Sequence, residues 1–284
     1  MEWKDILTQL RQWLGPVFLS ITGGETLLKK DAVSLVQFAS QKGFRTEFLS
    51  NGYLIKPETA RSLVQSGVKR IKISLDGTTE DINDQIRGRK GFFEHAIQAL
   101  RMLAEEKDRI KSDVVIWAKT AIMSYNVGDL ANIAKMVQDL GLDGVEYQAL
   151  EPVYYSGQLT DKKWYVNNPL WIQNTWEISK SINELKKLKA QGVPIVNTVE
   201  NLNMINDYFH DPEKLAYKVH SHEYKKKKPQ CRSWVGGLQI MPDGGLKMCH
   251  FMEPFGNARN GNIKDLWNKR ARCWKTECPY LELL

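Results

Sequence analysis

Four cysteines, Cys231, Cys249, Cys273 and Cys278, are the only ones in the 284-residue chain, and all fall in its last fifth. Core cysteines seldom cluster in this way, and a reducing compartment disfavours disulfides, so the set reads as a metal site. Twelve residues separate Cys231 from Gly244, and four more precede Cys249. Within that span LQIMPDGGLKMC reads as two strands joined at Pro242-Asp243-Gly244-Gly245, a hairpin that returns Cys249 toward Cys231. Cys273 and Cys278 follow as Cys-x4-Cys at the end of a helix opening near Gly261-Asn262-Ile263. Four thiolates can enclose Zn²⁺ or an iron–sulfur cluster. Zinc sites favour close Cys-x2-Cys knuckles and neither pair has that spacing, so the pattern leans to iron–sulfur and leaves zinc open. His250 reads as a packing or surface residue, because four thiolates already suffice.

A second group of reactive types lies near the other end. Residues 17–28 read VFLSITGGETLL, an apolar run closed by Gly23, Gly24 and Glu25. Glycines there allow either a backbone turn with positive φ or close approach to a ligand, and the carboxylate can meet a cation or a hydrogen-bond donor. A tight turn with a solvated Glu25 is the plain alternative.

These residues depend on an alternating scaffold. Trp3, Ile6, Leu7, Leu10, Trp13 and Leu14 have helical spacing, ended by Gly15-Pro16. Strands are expected at 17–22, 46–50, 69–75, 113–123 and 144–150, with helices over 31–42, 57–66, 93–107 and 127–140 between them. Alternation of this kind implies parallel strands with right-handed crossovers, in a doubly wound sheet or a barrel. Ligands then bind at the carboxyl ends of the strands. Those ends carry Gly23-Gly24-Glu25, Ser50-Asn51-Gly52, Ser74 to Gly77, Asn126 and Gln148 to Glu151. A polar rim on an apolar sheet reads as a binding site. Further on, a helix over 171–188, a strand over 193–199 and a short helix over 202–209 are expected. Tyr154 and Tyr155 are read as either substrate contacts or core.

The net charge of +7 and 42% hydrophobic content fit one large core with a satellite module. Lys225 to Lys228 reads as a solvated loop rather than a nucleic-acid arm. No run is long enough to cross a bilayer and the N-terminus does not read as a signal peptide, so a cytoplasmic location without a membrane partner is expected.

With these residues in view, the chain resembles a radical S-adenosylmethionine (SAM) protein with a SPASM/twitch-type C-terminal domain. TGGE at 22–25, SNG at 50–52, SLDG at 74–77 and IRG at 86–88 stand in that family's order, and the spacing of the cysteine module with GNI and LW at 261–267 is similar to its auxiliary-cluster domain. The resemblance implies an α/β fold, a partial (βα)6 TIM-like barrel lacking its first strand, over 1–215, with a small Cys-rich β-hairpin/helix module over 216–284. It implies that Gly23, Gly24 and Glu25 hold the SAM amino group, that Ser74 and Asp76 face the ribose with Asn51 sharing that role, and that Arg87 pairs with the SAM carboxylate. The alternative for Arg87 is an exposed arginine at a helix start. It implies an auxiliary [4Fe-4S] cluster on Cys231, Cys249, Cys273 and Cys278. Thr26 stands where the family usually has proline, and a small change in the turn is expected.

The family's radical chemistry needs a Cys-x3-Cys-x2-Cys loop, and no cysteine precedes Cys231 here. The expectation is therefore a truncated radical SAM enzyme. Its full-length form would carry a second [4Fe-4S] cluster and cleave SAM to a 5′-deoxyadenosyl radical, abstracting hydrogen from a peptide or protein side chain. This chain alone would not cleave SAM. A missing first strand would also leave an apolar edge on the strand over 17–22. The rival reading is a non-catalytic (βα) ligand-binding domain whose four cysteines hold a structural zinc ion.

Overall fold

A computed structural model of the chain describes residues 3–151, 163–212, 237–249 and 252–271. Helix α1 (Trp3–Leu14) leads into strand β1 (Phe18–Ile21), and then α2 (Ala32–Gln41), β2 (Arg45–Ser50), α3 (Pro57–Gln65) and β3 (Arg70–Ser74) follow. After β3 come α4 (Glu80–Arg87), α5 (Phe92–Ile110), β4 (Val115–Ile122), α6 (Leu130–Asp139) and β5 (Gly144–Ala149). The five strands pair in parallel in the order β1-β2-β3-β4-β5. Sequential order means every crossover steps in the same direction, so its helices land on one face, as in a barrel wall. The fold is the expected parallel-sheet α/β architecture of a partial barrel.

Alternation along each strand separates two faces. Phe48, Ile71, Ile73, Ile116, Ala118, Ile122, Val145 and Tyr147 point into the helix layer and form one core with α3, α5 and α6. That core is close-packed: at Gly52, with φ +82°, an added Cβ would sit 3.1 Å from Ile73 Cγ2 and 3.2 Å from Ala96 Cα. The opposite, inner face carries Ser20, Glu47, Arg70, Lys72, Ser74, Trp117, Lys119, Glu146 and Gln148.

Three expectations change. The strand over 193–199 is reduced to one bridge, Val145 to Ile195, beside β5. Asn197 ends it: its side chain takes the Tyr147 N–H at 2.7 Å and donates to the Tyr147 carbonyl at 2.8 Å, substituting for the next ladder residue. The expected helix over 171–188 is α7 (Thr175–Ala190), started by Asn174, whose side chain accepts from Trp176 N. The third is α4, which the sequence reading passed over because its run EDINDQIR is mostly polar. Thr79 caps it and Gly88, in the left-handed conformation, closes it, so Arg87 ends a helix and does not start one. Helix α8 (Val199–His210) follows α7.

The expected hairpin is present, with β6 (Gln239–Ile240) antiparallel to β7 (Gly245–Lys247), and β8 (Gly256–Asn257) adds to β7. Helix α9 (Ile263–Lys269) packs beside α1, with the Trp13 and Trp267 ring centroids 5.8 Å apart and Ile263 N donating to Gln9 Oε1 at 3.1 Å. A second apolar cluster joins Ile6, Leu7 and Leu10 of α1 to Leu246, Ala258 and Ile263. The boundary at 215/216, Tyr154, Tyr155, Lys225 to Lys228 and His250 lie outside the described residues. No helix among the described residues is long and apolar enough to cross a membrane.

Candidate functional site

Parallel strands deliver their carboxyl ends to one mouth, and the sequence-selected residues gather there. Gly23 and Gly24 follow β1 and are exposed, neither has positive φ, and an added Cβ on either would meet nothing within 4 Å. Their conformation does not demand glycine, whereas open space beside their backbone suits a bound group. Glu25 is tied in: Oε1 accepts from Leu27 N at 2.9 Å and Ser50 Oγ at 2.8 Å, and Oε2 accepts from Asn51 N at 2.7 Å. The plain reading of a solvated glutamate therefore fails. The carboxylate welds the β1 turn to the end of β2 and is held in one orientation by three donors at fixed positions. Thr26 adds a second tie, donating to the Leu49 carbonyl at 2.7 Å, a bond that proline could not make.

Asn51 closes an Asx turn on Tyr53 N at 2.9 Å. Ser50 pairs with Ile73, so Asn51, just past β2, follows level with Ser74 at the end of β3. Ser74 is half-buried. Asp76 is buried, accepts from Ala121 N at 2.8 Å and forms an ion pair with Arg87 Nη2. Asp76 and Arg87 thus meet each other directly. Arg87 Nε is buried without a hydrogen-bond partner. Asn126, wholly buried, braces the same corner by donating to the Asp76 and Ala121 carbonyls, each at 2.9 Å.

Burial pushes the Asp76 carboxyl up from its ordinary 3.8, while the Arg87 guanidinium and the Ala121 amide pull it back. Above pH 3.8 and below the raised value, the folded chain keeps a proton that the unfolded chain has lost. Stability from this group is therefore present at low pH and declines as pH rises through that window. Unfolding free energies of the native chain and Asp76→Asn, followed by urea from about pH 3.5 to about pH 7, are expected to converge as pH rises. A gap that widened instead would show the Arg87 pairing overriding burial.

The sequence reading missed the inner face. Glu47 accepts from Ser20 Oγ at 3.1 Å and pairs with Arg70 at 2.9 Å and Lys72 at 3.2 Å, and Lys72 also reaches Glu146 at 2.7 Å. The Arg70 guanidinium stacks 3.9 Å from the centre of the Trp117 ring. Of the cysteines, only Cys249 lies among the described residues, half-buried just past β7, while Cys231, Cys273 and Cys278 lie outside them. Among the described residues no group of three or more His, Cys, Asp or Glu is arranged to hold a metal ion.

Residues 1–120 match the family model described as the radical SAM superfamily. The chain is 27% identical to Fe-coproporphyrin III synthase of Methanosarcina barkeri over 278 residues, covering 94% of this chain and 65% of that protein. It is 23% identical to the PqqA peptide cyclase of Rhizobium meliloti, covering 94% of this chain and 64% of that one. The chain thus spans just under two thirds of the length of these relatives. Among solved structures, Streptococcus suis SuiB bound to its precursor peptide SuiA superposes with a TM-score of 0.65 at 16% identity, covering 93% of this chain and 56% of that one. At that identity the likeness is one of fold. Strand order and the motif-bearing strand ends agree with the family match, which places residues 1–120 with the radical SAM superfamily.

Proposed function

We propose that the mouth of the sheet binds SAM and that the chain is part of a radical SAM enzyme acting on a peptide or protein side chain. The observation that carries this reading is the convergence of Glu25, Asn51 and Ser74, with the Asp76–Arg87 pair, on the ends of three adjacent strands. Gly23 and Gly24 leave room for an ammonium, and the anchored Glu25 carboxylate supplies its counter-charge. Asn51 and Ser74 face the ribose. Asp76 supports the arrangement by holding Arg87, whose guanidinium meets the SAM carboxylate. A peptide substrate is supported by one relative named as a peptide cyclase, whereas others are named as haem or Fe-coproporphyrin III synthases.

The superfamily's SAM-cleaving cluster does not fit this chain, which has no cysteine before Cys231, so no radical step is derived for these residues. The auxiliary [4Fe-4S] cluster fits the chemistry of the four-thiolate set, Cys231, Cys249, Cys273 and Cys278, and would supply electron transfer or substrate ligation. The zinc reading keeps the same ligands.

Anaerobic reconstitution with iron and sulfide tests the assignment. About four irons per chain, a brown colour and SAM binding without 5′-deoxyadenosine under dithionite are the expected result. A colourless protein with one zinc and no SAM binding would favour the ligand-binding module. Formation of 5′-deoxyadenosine would overturn the stated inactivity of this polypeptide.

A further inference from the structure

Helices α1 and α2 pack side by side, and each runs back from the mouth to the far end of the sheet. Residues 3–44, which hold both, carry five cations, Lys4, Arg11, Lys29, Lys30 and Lys42, against three carboxylates, Asp5, Glu25 and Asp31. Glu25 is engaged at the mouth, and Asp31 pairs with Lys29 at 2.6 Å. Three of the cations meet along the seam between the helices. The half-buried Phe38 ring takes the Lys4 ammonium at 5.6 Å and the Lys42 ammonium at 5.3 Å, so the two lie within about 11 Å of each other. Arg11 Nε donates to the Lys42 carbonyl at 2.6 Å. None of these three cations forms an ion pair with a described residue.

Helix electrostatics accounts for two of them. Arg11 is in the last turn of α1 and Lys42 caps the end of α2, where a cation is favoured. Lys4 stands in the first turn of α1, the end that disfavours positive charge. Two ammoniums and a guanidinium around an apolar floor fit carboxylates spaced along one polypeptide. Stacked nucleobases fit less well, because the Phe38 ring already carries two ammoniums. A bilayer fits less well too, because Phe38 is sunk against the second apolar cluster and offers little to insert.

The seam leads to the mouth. At its upper end the Lys29 hydrogen bond lowers the Asp31 carboxyl and the Lys4 charge adds to the effect, which places Lys4 beside the start of α2. Between Asp31 and the mouth glycines stand Lys30 and Leu28, both exposed, Leu28 to 75%. The ten residues of α2 span about 15 Å, the length of about five extended residues.

We propose that the α1–α2 seam is a docking track for an acidic segment of the peptide whose side chain enters the mouth. The inference rests on the reading of the mouth as a peptide-modifying SAM site, but the docking test needs no SAM.

Fluorescence anisotropy of labelled hexaglutamate and hexaglutamine at low salt decides it. The chains compared are the native one, Lys4→Gln/Lys42→Gln, and Lys180→Gln/Lys187→Gln, which removes two exposed lysines from α7 at the other end of the sheet. Thermal unfolding confirms that each is folded. The native chain is expected to prefer hexaglutamate, and added salt to erase the preference. The seam pair should weaken hexaglutamate binding by about fivefold to tenfold, the effect of two exposed charge contacts, and the α7 pair by less than about twofold. With benzoylphenylalanine at one end or the other of hexaglutamate, one of the two probes should cross-link within residues 23–30. Equal losses in the two pairs, no native preference, or no label within 23–30 from either probe overturns the proposal. Seam-dependent binding of phosphatidylserine vesicles or oligothymidylate without hexaglutamate binding would overturn it in favour of a membrane or nucleic acid. A chain that does not bind SAM yet shows the seam-dependent preference and the label would retire the SAM reading and keep the track.

Discussion

Replacing Lys72 with methionine is expected to lower the unfolding free energy by about 3–5 kcal/mol, because it leaves two carboxylates facing each other without their shared cation. Lys72 is the hinge of the inner-face network: its side chain is 8% exposed, and its ammonium lies 3.2 Å from Glu47 and 2.7 Å from Glu146. Glu47 is itself only 7% exposed, so its charge cannot escape to water. Arg70 continues to serve Glu47 in the variant, and Lys119 can swing toward Glu146, which places the effect at the lower end of the range. Urea unfolding at neutral pH measures it, and a fall in Tm of roughly 6–12 °C should accompany it. The double variant Lys72→Met/Glu146→Gln should recover part of the loss by removing one stranded charge. A loss below about 1 kcal/mol in the single variant would mean that water, and not Lys72, neutralises the pair.

Glu25→Gln is expected to weaken SAM binding by about tenfold to about a hundredfold, the range for loss of a charge-assisted contact. The substitution acts twice. It removes the negative charge offered to the ligand's ammonium, and it turns an acceptor-only group into one with an NH₂ facing Asn51 N or Ser50 Oγ, both now donors to Glu25. Ser50→Ala separates the two effects, since it deletes the 2.8 Å hydroxyl contact and leaves the charge. It should cost affinity by only a few-fold. Titration of both variants with SAM measures the difference, and an affinity within about threefold of the native chain for Glu25→Gln would remove Glu25 from the ligand site.

Much of the scaffold was legible. Short apolar runs ending in glycine, asparagine or aspartate, spaced by helical segments, led to five parallel strands in sequential order, and the polar strand ends led to the mouth. The charged inner face was legible too, yet was not read. β3 is Arg-Ile-Lys-Ile-Ser and β5 is Gly-Val-Glu-Tyr-Gln-Ala. Parallel strands covered on both faces are near-continuously apolar, so strict alternation in these two already announces a polar second face. Helix α4 escaped because helical periodicity is sought in apolar residues, and α4 is anchored chiefly by Asn83, whose Oδ1 accepts from Asp76 N at 2.9 Å. Asp76 and Arg87, eleven positions apart, were assigned separate ligand contacts from motif order. Spacing does not reveal that a helix end brings the guanidinium back onto the strand end, where burial makes each the other's best partner.

The packing of α9 and the hairpin against α1 has a consequence during synthesis. Trp13 meets Trp267 only after 254 further residues have been added, a delay of roughly 13–50 s at ordinary translation rates. For that interval Leu7 and Leu10 lack the tail-borne part of their cover, so α1 is a natural binding stretch for chaperones that capture apolar helices on nascent chains. Any lesion that halts the ribosome before the hairpin would leave that stripe bare for the lifetime of the fragment.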